Sequence, residues 1–135
     1  MPSVMTRKIA VYGPPPLTIS GGCLGPATGA VVVKAALGIV AAVPQTVTRV
    51  VLLPTEIIAL DADSTTFVVR TSAGVTIASG TNAAAIPLAG LVLTLVGAAV
   101  NLAVGTVLHL IITNVVDGQA LQTVQVGVQV ELQPT

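Results

Sequence analysis

Residues 124–132 read Val124-Gln125-Val126-Gly127-Val128-Gln129-Val130-Glu131-Leu132. Every second side chain is aliphatic, and those between are Gln, Gly or Glu. A strand sends successive side chains to opposite faces, so this period of two builds one apolar and one polar face. A helix would scatter the same valines around its circumference. The stretch predicts an antiparallel strand with the valines and Leu132 turned inward. Upstream, residues 107–113 read as a second strand, apolar on both faces except for His109. Asp117-Gly118 marks a turn between the two, which suggests a hairpin with a connection longer than two residues.

Working towards the N-terminus, the same rhythm repeats. Residues 46–53 form a strand closed by Pro54. Residues 56–60 form a short strand closed by Asp61-Ala62-Asp63-Ser64. Residues 65–71 follow, then a Ser72-Ala73-Gly74 turn and a strand at 75–78. Residues 91–96 and 99–104 lie between Gly90, Gly97 and Gly105. In residues 30–43, Lys34-Ala35-Ala36-Leu37 could start a helix, but Val31-Val32-Val33 and Gly38 favour a strand. Many short strands separated by turn signals predict an all-β fold, an antiparallel, jelly-roll-like β-sandwich. This domain is expected over residues 27–135. Residues 1–26 hold five of the nine prolines and the Gly21-Gly22 pair. They read as an extended arm outside the sandwich, with Pro14-Pro15-Pro16 in polyproline II.

Composition narrows the functional classes. The 135 residues are 53% hydrophobic and only 7% charged, against about 25% charged in an ordinary soluble domain. Either partners cover much of the surface or part of the chain lies in lipid. The apolar residues are mostly Val, Ala, Leu and Ile; Phe67 and Tyr12 are the only aromatics. That excludes an aromatic stacking platform for nucleic acid, and a formal net charge of zero argues against a phosphate-binding surface.

Residues 71–116 contain no Asp, Glu, Lys or Arg, and within them 86–112 are hydrophobic enough to suggest a membrane helix. Gly90, Gly97, Gly105 and Pro87 break that run into strand-sized pieces, and neither end carries a cluster of positive charges or aromatic anchors. Strands are the expected reading. Near the N-terminus, Arg7 and Lys8 precede an apolar run that Gly13 and the prolines stop at once, so no secretion signal is expected. Cys23 is the only cysteine, so no intrachain disulfide forms. It reads as a small buried hydrophobe.

Few residues suggest chemistry. Ile57-Ile58-Ala59-Leu60-Asp61-Ala62-Asp63-Ser64-Thr65 resembles the nucleophile motif of haloacid-dehalogenase-type phosphotransferases, in which the first Asp attacks phosphorus and the second acts as acid and base beside Mg²⁺. That family needs a larger parallel α/β domain, a basic residue for phosphate and a further acidic pair. After Arg70 this chain has no Lys or Arg, and its only later acids are Asp117 and Glu131. Asp61 and Asp63 are therefore expected to end a strand by bonding nearby amides, or at most to hold Ca²⁺ weakly. His109, between Leu108 and Leu110, reads as structural. No enzyme activity, cofactor or resident metal is expected.

Two stretches carry a resemblance. One runs from Val50-Val51-Leu52-Leu53-Pro54 to Phe67-Val68-Val69-Arg70-Thr71. The other runs from Gly105-Thr106-Val107-Leu108-His109-Leu110 to Leu121-Gln122-Thr123-Val124-Gln125-Val126. Together they resemble the small β-sandwich capsid decoration (cement) proteins of tailed bacteriophages. The resemblance implies a structural protein on the outer surface of a virion capsid that reinforces contacts between capsomers. Its partners would be the major capsid protein and copies of itself, as a homotrimer, with no nucleic acid or membrane. Another self-assembling virion part (a fibre, spike or tail component) is the alternative, and a small membrane protein a more distant one. The attachment element is expected in the arm, at Pro14, Pro15, Pro16 and Leu17.

Overall fold

The computed structural model describes residues 17–40, 43–61, 65–115 and 119–135. It is all-β, two antiparallel sheets packed face to face, with a single turn of 3-10 helix at Gly97–Val100. In chain order the strands are β1 (Leu17–Leu24), β2 (Val32–Ile39), β3 (Gln45–Pro54), β4 (Thr65–Thr71), β5 (Thr76–Thr81), β6 (Leu91–Val92), β7 (Thr94–Leu95), β8 (Asn101–Leu102), β9 (Val107–Asn114) and β10 (Gln125–Pro134). The first sheet runs β1-β10-β3-β6, with β8 also on β3; the second runs β2-β9-β4-β5-β7.

The predicted alternation at the C-terminal end holds. Val124, Val126, Val128, Val130 and Leu132 are all buried, and Gln125, Gln129 and Gln133 are exposed. Opposite them the second sheet presents Phe67, Val69, Leu108, Leu110 and Ile112, each fully buried. Burying one such aliphatic or aromatic side chain contributes roughly 1.5–3 kcal/mol. The core is thus a layer of many branched side chains with Phe67 as its largest member.

The pairs nest. β4 pairs with its sequence neighbour β5, β3 with β6 and β8, β2 with β9, and β1 with β10. The arrangement is that of one long ribbon whose tip is the Ser72-Ala73-Gly74 turn, rolled so that β10 also pairs with β3 and β9 with β4. At the tip, Gly74 has φ +89, a left-handed conformation that glycine adopts without strain. Its N–H donates to the Thr71 carbonyl at 2.9 Å.

Several expectations change; residues 99–104, expected as a strand, hold the end of the 3-10 turn and the two-residue β8. Residues 107–113 and 124–132 do not form a hairpin: β9 and β10 lie in different sheets. Each already has two neighbours, so each occupies the middle of its own sheet and the connection crosses between layers. The Asp117-Gly118 turn itself lies outside the described residues. Residues 17–24, expected in the arm, are strand β1, in register with β10 from Leu17↔Leu132 to Leu24↔Gln125. Backbone pairing there needs no core-facing run of large side chains, which is why the glycine-rich sequence concealed it. Residues 56–60 form no strand; Ile58 alone bridges to Ile86. Residues 1–16 lie outside the described residues.

The most apolar window, 86–112, is divided among that bridge, β6, β7, the 3-10 turn, β8 and most of β9. Among the described residues no helix is long and apolar enough to cross a membrane.

Candidate functional site

The outer face of the second sheet gathers basic side chains. β9 lies between β2 and β4, with His109 opposite Arg70 on one side and Ala36 on the other. One step along, Ile111 sits opposite Lys34 and Val68. Lys34 is therefore diagonal to His109, within reach of long side chains, while Arg70 is its direct cross-strand neighbour. The three converge on a groove of about 210 Å³ lined by Lys34, Arg70, Thr71, Ser72, Gly74, His109 and Ile111.

Period-two alternation makes Ile111 an outward residue, yet it is only 6% exposed. The aliphatic stems of Lys and Arg commonly cover apolar surface in this way while their charged heads reach water. Ile111 thus floors the groove, and Thr71 and Ser72 add hydroxyl groups at its rim. Neither Lys34 nor Arg70 forms an ion pair among the described residues; the ion pair found there is Arg49 with Glu131, 3.6 Å apart on the other sheet. The turn beside the groove spends its amides internally. Thr71 N–H donates to the Val75 carbonyl, Ser72 N–H to the Val107 carbonyl, and Val75 N–H to Thr71 Oγ1. The polar groups left facing the groove are chiefly those of its side chains.

A second feature lies next to it, at the end of the sandwich that carries the β4–β5 turn. Val40 and Gly105 are tied by backbone bonds, as are Pro44 with Thr135 and Ile77 with Val96. These bonds bring Ile39, Val43, Val75, Val96 and Val104 to one end, together with Leu17 beside Leu132. All six are between 42% and 57% exposed. The described loops of that end (40, 43–44, 72–75, 96–106 and 135) contain no Asp, Glu, Lys, Arg or His. Such a grouping of exposed aliphatics marks an interaction surface more often than a solvated one.

Of the residues singled out from sequence, Pro14, Pro15 and Pro16 lie outside the described residues. Leu17 opens β1 and is exposed. Asp61 donates its backbone N–H to the Asn82 carbonyl at 3.2 Å, at the opposite end from the groove; Asp63 lies outside the described residues. Among the described residues no three His, Cys, Asp or Glu side chains come together. Cys23 is half-buried on β1, and burial pushes its thiol above the ordinary range, which disfavours the nucleophilic thiolate.

His109 was expected to be structural, and its central place in the groove was not read from sequence. Lys34, Arg70 and His109 stand far apart in the chain. The available signal was their shared outward parity on three strands, which becomes informative only once β2, β9 and β4 are known to be adjacent.

Comparison with protein-family models, curated proteins and solved structures finds no match to this chain.

Proposed function

We propose that this chain is a structural virion protein that binds the outside of a capsid lattice as a homotrimer and reinforces contacts between capsomers. The observation that carries the reading is the uncharged apolar end of the sandwich, where Leu17, Ile39, Val43, Val75, Val96 and Val104 are exposed together. A chain with 7% charged residues has little else with which to solvate that end, so a partner covers it.

The strand order supports the reading by analogy. The nested pairs, with β1-β10-β3-β6 facing β2-β9-β4-β5, support reading the sandwich as a jelly roll, an architecture common in viral capsid and lectin domains. Fold alone does not assign function; the uncharged end supplies the independent argument. The proline-rich segment holding Pro14, Pro15 and Pro16 leads into Leu17, which belongs to the apolar end. We assign it the role of an attachment arm. Proline lowers the entropy lost when such a segment settles on a partner.

Light scattering on the purified chain tests the assembly reading. The expected mass is three times that of one chain, and a monomer at micromolar concentration would count against it. Deleting residues 1–16 should then leave the melting temperature unchanged while lowering occupancy on particles. Equal occupancy would remove the arm from the attachment surface.

A further inference from the structure

We propose that the groove formed by Lys34, Arg70 and His109 is a docking site for an acidic segment of a partner protein, one that presents two or more Asp or Glu carboxylates along an extended backbone. Basic groups are scarce in this chain. The described residues hold only Lys34, Arg49, Arg70 and His109. Arg49 is paired with Glu131. The other three share one groove with no carboxylate among the residues that line it. Like charges held together on a sheet repel, so an uncompensated group of this kind is stabilised when an anion arrives.

The geometry selects the anion. The basic side chains are spread over three adjacent strands, with Arg70 directly across from His109 and Lys34 on the diagonal. Neighbouring strands lie about 4.8 Å apart, so the three positions span roughly two strand spacings. That spread matches successive carboxylates on a peptide better than a single compact phosphate. A phosphate site would also draw on free backbone amides. Here the amides of Thr71, Ser72, Gly74 and Val75 are spent within the turn and on Val107. The imidazole of His109 can donate an N–H in either protonation state, and the guanidinium of Arg70 offers a fork that fits a carboxylate.

The inference rests on the assembly reading only in taking the partner to be a protein. The apolar end supplies area beside the groove, and the groove would fix orientation, since charge complementarity governs register and association rate more than total affinity.

The experiment uses the full chain and a fluorescein-labelled decapeptide of alternating Glu and Ser, followed by anisotropy at low salt. A Lys-Ser decapeptide and a fluorescein-labelled thymidine decanucleotide serve as comparators. The Glu-Ser peptide should bind most tightly. The double variant Lys34→Gln, Arg70→Gln should weaken it about tenfold or more, while Arg49→Gln leaves it within twofold. An unchanged melting temperature in both variants ties the loss to the groove. If the double variant melts early, amide chemical-shift changes on titrating the unaltered chain with the peptide decide: changes confined to residues near 34, 70 and 109 support the site, and changes elsewhere overturn it. No peptide binding, equal loss in Arg49→Gln, or tighter binding of the oligonucleotide would each overturn it as well. Because the peptide assay needs no particle, such a failure leaves the trimer measurement standing as a separate test.

Discussion

The two lateral sides of the sandwich are closed by different means. On one side a single segment serves both sheets. Leu91 and Val92 pair with Leu52 and Val51 of the first sheet; Thr94 and Leu95 pair with Ser79 and Ala78 of the second. At the crossing, Leu93 donates its N–H to the Val50 carbonyl and is 2% exposed. On the other side β1 and β2 are the last strands of their sheets, and no strand among the described residues joins them. They are stacked closely. A methyl group added at Gly38 would lie 2.9 Å from Ile19 Cγ2, so glycine permits the approach. The first side is finished by the chain's own backbone. The second leaves two strands of eight residues, each with an edge that no described residue pairs, and with Lys34 as their one charged residue. Natural sheets usually guard such edges with charge, proline or a cover. An unguarded edge is where a neighbouring strand can add.

The largest effect should come from breaking the closed side. Leu93→Ala removes a buried side chain at the one residue where the ladder changes sheets. A loss of about 3 kcal/mol is expected from the lost burial and the cavity, measured by urea denaturation. A loss below about 1 kcal/mol would show that backbone bonds alone close that side.

A pair of proline substitutions sharpens the contrast at the open side. Gly25 donates its N–H to the Val124 carbonyl. Alternation in an antiparallel pair then places the N–H groups of Cys23, Gly21, Ile19 and Leu17 towards β10, and those of Leu24, Gly22, Ser20 and Thr18 towards the free edge. Ile19→Pro should cost at least about 3 kcal/mol by deleting a ladder bond and the packing of Ile19 against the core and Gly38, whereas Ser20→Pro, at an exposed side chain, should cost under about 1 kcal/mol. If β1 adds to a neighbour through this edge, Ser20→Pro should also shift the native mass towards that of a monomer. Equal melting losses in the two variants would mean that β1 does not hold the stated register.

The same contrast explains what could be read from sequence. The central strands β10, β3, β4 and β9 were legible, because each buries one whole face and carries period-two or continuous aliphatic runs. The flanking strands were harder. β1 has no fully buried residue, so its hydrophobic signal is weak, and Gly21-Gly22 reads as part of an extended arm. The expected strand at 91–96 is real in its extended backbone but divides into β6 and β7, because a change of bonding partner leaves no mark on hydrophobicity. The nesting of pairs, and with it the basic groove, depends on which strands are neighbours. Binary pattern alone does not specify this. The apolar end was foreshadowed only as a global shortage of charge.

The smallest expected effect concerns the outer faces of the two sheets. On the first, Arg49 and Glu131 face each other in register and approach to 3.6 Å. Both are solvent-accessible, with side chains 52% and 38% exposed. An exposed pair gains modest Coulomb energy in water and loses side-chain freedom, so its net contribution is about 0–1 kcal/mol. Arg49→Gln should therefore change stability by less than about 0.5 kcal/mol at physiological salt, with little further change when salt is raised. On the second face, Lys34→Gln with Arg70→Gln removes two like charges that have no ion-pair partner among the described residues, so stability should hold or rise slightly. Thermal melts of both variants at low and high salt compare the faces directly. A clear destabilisation by the double variant would show that Lys34 and Arg70 hold the fold through the packing of their stems over Ile111, and that their charge is not kept for a partner.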